Sequence, residues 1–164
     1  MNDPMNDNAP LRPIERWLGN YSGDHRNRTN QRIHLVCVPA IVWTVIAALW
    51  AIPVPPSLGQ PGLWAGIALA LALSYYWRLS RPLALGLLVA FVLMGLLCHL
   101  LYLRLGGGGL AIIASIVFVV AWIGQFIGHH IEGKRPSFFT DLVYLLIGPL
   151  WTLSKLYRRL GWAY

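Results

Sequence analysis

The residues best suited to chemistry in this chain are histidines at the borders of long apolar runs. His129 and His130 lie just after the run from Leu110 to Ile127, with Gly128 between, and Glu132 stands two residues beyond His130. A second polar stretch, HRNRTNQRIH, runs from His25 to His34 and precedes the first apolar run. Imidazoles and carboxylates are common ligands of transition metals, and polar groups at a membrane boundary mark functional sites. These two stretches therefore indicate a metal site.

The spacing of the first two histidines limits how they can share an ion. On one unbroken helix, the nine residues from His25 to His34 would turn through about 900° and place the rings on opposite faces. Either the helix begins between them, or they belong to different centres. In the first case its N-cap is Asn27, Thr29 or Asn30.

The other histidines have different geometries. His130 lies about 100° around a helix from His129, so both can bind one ion only if the helix unwinds. Two other roles are equally open for His130: it contacts one of the ligands without touching the metal, or it binds a second metal. His99 lies within an apolar run, and a helix would place it about 24 Å from the others. We interpret His99 as a lone membrane histidine and predict His25, His34 and His129 as the metal ligands.

The composition predicts an integral membrane protein with one helical domain. The 164 residues are 57% hydrophobic and 12% charged, whereas about a quarter of an ordinary soluble domain is charged. The net charge of +7 comes from basic residues that flank apolar runs, as membrane topology requires. We expect a lipid bilayer as partner and no nucleic acid, with the oligomeric state open. Residues 1–10 are expected to be disordered and residues 11–164 to form the domain.

The elements that must position the histidines are predicted to be an all-α bundle with four transmembrane helices. The predicted spans are 33–52, 63–77, 83–103 and 110–127. A bilayer crossing needs ~20 residues, and the second span is shorter than the others. The glycines from 106 to 109 predict a tight turn between antiparallel helices. A short interfacial helix is predicted over 11–21, with breaks at Gly19-Asn20 and at Ser22-Gly23. The segment 138–160, interrupted at Gly148-Pro149, predicts a re-entrant or interfacial helical hairpin.

The basic residues predict the orientation of this bundle. With four spans, Arg104 alone lies on one side and the other basic residues lie on the opposite side. Both termini are therefore expected in the cytoplasm. The fourth span returns to the face from which the first starts, so the two histidine stretches meet at one depth. Four cations flank them and either form a solvated face or hold an acidic head group: Arg26, Arg32, Lys134 and Arg135.

These two stretches resemble a known family. YSGDHRNRTNQRIHLVCVP and QFIGHHIEGKRPSFFTDLVYLLIGPLW are similar to motifs of small membrane proteins related to the yeast endoplasmic-reticulum 2-hydroxy fatty acid dioxygenase, which acts in phytosphingosine breakdown. The resemblance extends from Trp17 to Leu160. It implies an Fe²⁺-dependent α-oxidation, in which dioxygen cleaves a 2-hydroxy fatty acid between C1 and C2.

The resemblance also implies roles for particular residues. The positions that match the family's motifs are His25, Asn30, His34, Gln125, His129, Glu132 and Pro136. We predict Glu132 and Asn30 as catalytic, although Glu132 is equally open as a ligand or a partner of Arg135. The four flanking cations would hold the substrate carboxylate. A bacterial inner membrane is the expected location.

Two alternatives to the dioxygenase remain open, one enzymatic and one from a different functional class. A zinc-dependent membrane amidase or hydrolase would use similar ligands, with Glu132 as base. A non-enzymatic membrane component or metal carrier would need polar residues through its spans, and Thr44, Ser74 and Ser115 form no evident path with His99. Iron in the purified protein would separate the dioxygenase from zinc hydrolysis and from a metal-free function.

Overall fold

The computed structural model describes residues 12–135 and 143–164, and within these ranges the only regular elements are five helices. They are α1 (Pro13–Gly23), α2 (Arg28–Ala51), α3 (Leu63–Leu79), α4 (Arg81–Glu132) and α5 (Tyr144–Arg159). This agrees with the predicted all-α class. The predicted disordered residues 1–10, Pro136 and the first part of the predicted C-terminal hairpin lie outside the described residues.

Helix α1 lies two residues later in the chain than the predicted helix 11–21 and has the same length. It continues through Gly19-Asn20 and ends at Gly23, so the break predicted at Gly19-Asn20 is wrong, whereas the one predicted at Ser22-Gly23 matches the end of the helix. Ile14, Leu18 and Tyr21 lie one turn apart and are buried. Their packing against the rest of the protein offsets the poor helix propensity of glycine and asparagine, which is about 1 kcal/mol or less per residue.

Helix α2 begins between the two N-terminal histidines. Asn27 is its N-cap, and the Asn27 side chain accepts hydrogen bonds from the backbone N–H groups of Thr29 at 2.8 Å and Asn30 at 3.4 Å. The first of the two alternatives for His25 and His34 is therefore confirmed. His25 lies in the turn before the helix. Helix geometry therefore does not place its ring on the opposite face from that of His34.

Helix α4 is a hairpin of two arms. Gly106, at φ 68° and ψ 179°, is not helical and divides α4 into a first arm, residues 81–105, and a second arm, residues 107–132. A Cβ at Gly95 would lie 3.4 Å from the Trp50 ring, and one at Gly107 would lie 3.1 Å from the carbonyl oxygen of Ala51. Both arms therefore meet the same end of α2, and the chain reverses between them. The predicted turn is confirmed, with the reversal at its first glycine.

The second arm approaches α2 closely at two glycines. A Cβ at Gly124 would lie 2.7 Å from the sulfur of Cys37, and one at Gly128 would collide with the side-chain oxygen of Asn30. The second arm therefore runs antiparallel to α2 from Ala51 back to Asn30. This direction carries His129 to the end of α2 that holds His34.

Helix α5 runs without interruption through Gly148-Pro149, so the hairpin predicted at that dipeptide is wrong. A Cβ at Gly148 would lie 3.4 Å from both Tyr21 and Val38, which shows how closely α5 fits against α1 and α2. Because Pro149 is buried in this contact, packing compensates the hydrogen bond that a helical proline lacks.

Two helices, α2 and α4, are long and apolar enough to cross a membrane, and α3 is a shorter apolar helix of 17 residues. The first predicted span lies in α2, the second in α3, and the third and fourth in the two arms of α4. Large apolar side chains on the outer faces of α4, such as Leu93 and Val120, are exposed. An exposed apolar surface of this kind suggests association with a membrane.

Candidate metal centre

Three histidines from distant parts of the chain meet at one buried point. His25 comes from the turn between α1 and α2, His34 from the second turn of α2, and His129 from the last turn of α4. One ring nitrogen from each lies within 4.8 Å of the others. The ring centroids are 4.3 Å apart for His25 and His34, 5.1 Å for His25 and His129, and 4.9 Å for His34 and His129. Three nitrogen ligands can therefore reach one ion.

Hydrogen bonds to the backbone determine which nitrogens of His25 and His34 face the centre. The Nδ1 atom of His25 lies 2.7 Å from the carbonyl oxygen of Tyr21, and that of His34 lies 3.0 Å from the carbonyl oxygen of Asn30. Since a carbonyl oxygen only accepts, each Nδ1 carries the hydrogen. A histidine that ligates a metal commonly donates its other N–H in this way.

The consequence is an electrostatic conflict that a cation would relieve. In the neutral rings, both Nε2 atoms present lone pairs, and they lie 3.0 Å apart. Two acceptors at this distance repel each other unless a proton or a metal ion lies between them. Burial lowers the pKa of His25, so at neutral pH its ring is uncharged. The pair therefore fits a metal ion.

His129 completes the cluster. Its side chain is buried, and its Nδ1 has no hydrogen-bond partner among the described residues. A buried polar atom without a partner costs about 1–3 kcal/mol. A metal ion or another bound group at this position would give the Nδ1 atom a partner.

Two aromatic side chains enclose His25 and His34. The Tyr21 ring stacks on His25 with centroids 4.3 Å apart and an interplanar angle of 11°. Trp151 of α5 lies 5.5 Å from His25 and 6.5 Å from His34, and its indole N–H donates to the Ser22 hydroxyl at 2.9 Å. The sequence analysis missed both residues. Tyr21 stands one turn before His25, which is a usable signal, whereas Trp151 lies in an ordinary amphipathic pattern.

Glu132 joins the end of α4 to the start of α2. Its carboxylate accepts hydrogen bonds from the backbone N–H of Arg26 at 2.8 Å, from that of Asn27 at 2.9 Å and from the Asn30 side chain at 3.0 Å. Asn30 is fully buried. The two residues predicted as catalytic therefore contact each other beside the histidines, and the carboxylate lies outside the three-histidine group.

The four predicted carboxylate-binding cations are exposed around this junction. Lys134 donates to the Gly23 carbonyl and to the Asp24 carboxylate, both at 3.1 Å. It therefore secures the turn that carries His25. Arg26, Arg32 and Arg135 extend the basic surface around the same end of the bundle.

The two remaining histidines are not part of the cluster. Helix α4 continues through His130 without unwinding, and the side chain of His130 is exposed. His99 is exposed on the first arm and lies 6.1 Å, between ring centroids, from Trp50 at the opposite end of α2. The 16 residues from His34 to Trp50 correspond to about 24 Å of helix.

A small cavity opens beside His34 and His129. It measures about 60 Å³, and Gln125 and Tyr21 contribute polar groups to its lining. Its apolar wall includes Val38, Ile41, Val42, Trp122 and Leu145. A polar end at the histidines and an apolar wall beyond them suit the head and first carbons of an amphipathic molecule.

Comparisons with known proteins agree with the geometry. A family model described as "2-hydroxy-palmitic acid dioxygenase Mpo1-like" matches residues 11–160. The 2-hydroxy-palmitic acid dioxygenase MPO1 of Saccharomyces cerevisiae is 28% identical over 159 residues, which cover 92% of this chain and 83% of the yeast protein. No solved structure matches the chain.

Proposed function

The chain belongs to the Mpo1-like family, and from this premise we propose that it is an Fe²⁺-dependent dioxygenase of 2-hydroxy long-chain fatty acids. The reaction breaks the bond between C1 and C2. A 2-hydroxy acid and dioxygen give carbon dioxide, water and the fatty acid that is one carbon shorter. Atoms and electrons balance without another reductant, because the substrate supplies all four electrons that dioxygen accepts.

The observation that carries the proposal is the pair of facing Nε2 atoms of His25 and His34, 3.0 Å apart, with both Nδ1 hydrogens directed to carbonyl oxygens. His129 supplies a third ring from the opposite helix. Three neutral imidazoles suit Fe²⁺ and leave other coordination positions open. Bound Fe²⁺ would supply the redox chemistry with dioxygen and would take the hydroxyl and carboxylate oxygens of the substrate.

The surrounding residues hold the ligands in place. Tyr21 and Trp151 fix the His25 ring by stacking and packing, and the Tyr21 carbonyl fixes its tautomer. Glu132 and Asn30 connect the helix that carries His34 to the helix that carries His129. We propose positioning as the role of this pair, because Glu132 accepts its hydrogen bonds within the described part of the chain from α2 and the turn before it.

Substrate selection follows from the cavity and the basic surface. The apolar wall at Val38, Ile41 and Trp122 excludes water and accepts the carbons next to the reacting bond. Arg26, Arg32 and Arg135 concentrate an anionic substrate at this end of the protein, with Lys134 beside them. We propose an integral membrane location, in a bacterial inner membrane, where the acyl chain reaches the enzyme from the bilayer.

The test is turnover by detergent-purified protein supplied with Fe²⁺ and 2-hydroxypalmitate. Oxygen should be consumed and pentadecanoate formed, whereas palmitate should not react because it lacks the second chelating oxygen. Turnover should disappear in His34→Ala and persist in His130→Ala, whose side chain is exposed outside the cluster. Absence of product from folded, iron-loaded protein across a range of chain lengths would contradict the proposal.

Metal analysis of anaerobically purified protein separates this function from zinc-dependent hydrolysis. Iron at about one equivalent per chain, lost in His34→Ala, supports the dioxygenase. Zinc at the same position, in protein that consumes no oxygen when reloaded with iron, would favour a hydrolase.

A further inference from the structure

A second and larger apolar groove lies away from the histidines. It has a volume of about 350 Å³ and is bounded by α2, the first arm of α4 and α5. Val38 lines both this groove and the histidine cavity, while the close contact of Gly148 with Val38 lies at the boundary between α2 and α5. The histidine cavity faces the second arm of α4, so the two spaces open toward different arms.

The mouth of this groove is basic. Lys155 and Arg159 line it from α5, one turn apart, and none of its lining residues is acidic. The Lys155 ammonium lies 4.8 Å from the Trp151 ring centroid and donates to the Gln31 side chain at 3.0 Å. The neutral amide partner leaves the charge of Lys155 unneutralised. Arg159 is exposed.

A hydroxyl group stands on the same stripe of α5. Thr152 precedes Lys155 by three residues and Arg159 by seven, which places all three on one helix face. Thr152 lines the groove, and its buried hydroxyl has no hydrogen-bond partner among the described residues. A buried hydroxyl beside two cations is suited to an anionic oxygen.

We propose that this groove is a second lipid site, which binds a long-chain fatty carboxylate with its head at Lys155 and Arg159 and its chain along α2 and the first arm. The volume favours a single-chain occupant. It corresponds to about 12 groups of the size of a water molecule, each near 30 Å³, and a methylene is of similar size. About twelve carbons of one acyl chain fit this space, whereas the two chains of a phospholipid do not. Because no metal ligand lines the groove, the 2-hydroxyl group is not needed there.

The experiment measures binding of radiolabelled palmitate to full-length His34→Ala protein in neutral detergent. This variant removes a ligand of the metal centre, so the result does not depend on the proposed activity. We expect saturable binding of one palmitate per chain. A photoreactive palmitate with its diazirine near the chain end should label the first arm around Phe91. Labelling confined to the second arm near His129 would overturn the proposal.

Two matched pairs of variants in this background test the chain and head contacts. Ala90→Trp fills the groove and should weaken palmitate binding more than about tenfold, because loss of two buried methylenes has that effect. Val89→Trp, on the exposed face of the same arm, should bind normally. Arg159→Gln should weaken binding by about twofold to fivefold. Arg158 contacts Tyr164 outside the groove, so Arg158→Gln should leave the affinity unchanged. Equal affinities within both pairs would overturn the proposal.

Two further ligands distinguish the chemical source. Methyl palmitate lacks the charge that both cations would contact, so it should bind to the His34→Ala protein at least as weakly as palmitate binds after Arg159→Gln is added. Phosphatidylglycerol should not displace palmitate. Full displacement by phosphatidylglycerol at equal concentration would identify the occupant as a phospholipid and overturn the single-chain assignment. If Ala90→Trp fails to fold, judged by size exclusion and circular dichroism, the arginine pair and the photolabelling decide.

Discussion

The backbone carbonyls of Tyr21 and Asn30 determine the chemistry available to the histidines. Each carbonyl lies four residues before the histidine whose Nδ1 it binds. The short loop that follows α1 thus presents His25 in the same tautomer that α2 gives to His34. Because the remaining Nε2 lone pairs face each other, the site is best occupied by a cation, and removing one ring also removes the repulsion.

Metal affinity should therefore depend on three histidines and be independent of the other two. We expect His25→Ala, His34→Ala and His129→Ala each to lower metal affinity more than about 100-fold. Even residues that only hydrogen-bond a metal ligand typically contribute 10- to 100-fold to the affinity. His99→Ala and His130→Ala should keep the metal. Competition with a chelator, followed by metal analysis, measures the difference. Loss of metal in folded His99→Ala would contradict the assignment.

The role of Glu132 can be tested by comparing alanine with glutamine. Glu132→Ala removes a charged acceptor from the start of α2 and should destabilise the protein by about 2 kcal/mol. Metal affinity should fall as well, since His25 and His34 lose their fixed position relative to His129. Glu132→Gln keeps one acceptor oxygen and should restore part of both properties. Thermal unfolding and metal binding are the measurements.

A general base would behave differently. If Glu132 transferred protons, Glu132→Gln would abolish turnover while stability and metal affinity stayed close to those of the parent. That combination would contradict the positioning role. Turnover in Glu132→Gln that falls only in proportion to the metal bound would agree with it.

The contact between α2 and the second arm of α4 sets the distance between His34 and His129. Gly128 precedes His129 and lies against Asn30. We expect Gly128→Ala to destabilise the protein by about 1–3 kcal/mol, as overpacking does, and to weaken metal binding by moving the two histidines apart. Denaturant unfolding and metal titration test this.

Gly66→Ala is the matched control, because Gly66 lies in helix α3 with no neighbour within 4 Å of a Cβ. Alanine there should leave stability unchanged or raise it by about 0.5–1 kcal/mol. If Gly128→Ala were as harmless as Gly66→Ala, close helix packing would not be what positions the metal ligands.

Sequence patterns predicted the elements whose signals are local. The start of α2 at Asn27 and the reversal at Gly106 follow from capping and glycine conformation, and the apolar runs match α2, α3 and the two arms of α4. The meeting of the two histidine stretches followed from counting these runs. Wherever packing outweighs local propensity, the predictions fail, as at Gly19-Asn20 in α1 and Gly148-Pro149 in α5.

The inner contacts of the site could not be predicted for a related reason. Trp151 encloses the histidines from a helix whose pattern shows only one apolar face. Glu132 accepts hydrogen bonds from backbone N–H groups. Every residue type except proline has such a group, so the sequence does not indicate which one a side chain will bind. Long-range contacts of these kinds depend on how the helices dock.

At the scale of the whole molecule, polar groups are concentrated at one end of the bundle. The histidine cluster, the basic surface at Arg26 and Arg135, and the mouth of the second groove at Lys155 all belong to this end. Arg104 lies near the other end, close to the turn at Gly106. A fatty acid in a bilayer has the same polarity, with its carboxylate at the surface and its chain inside, so both proposed sites would meet their fatty-acid ligands in the orientation that the bilayer gives them.

This asymmetry predicts the topology of the chain. Basic residues are retained on the cytoplasmic side of membranes, so we expect both termini in the cytoplasm and the turn at Gly106 outside. An alkaline phosphatase fusion inserted at Gly107 should be active, because that enzyme works only after export, whereas one placed after Tyr164 should be inactive. Green fluorescent protein, which fluoresces when it remains in the cytoplasm, should give the reverse pattern. Signals from the same side for both positions would show that α4 does not cross the membrane as two arms, and the proposed lipid substrate would then need another route to the histidine centre.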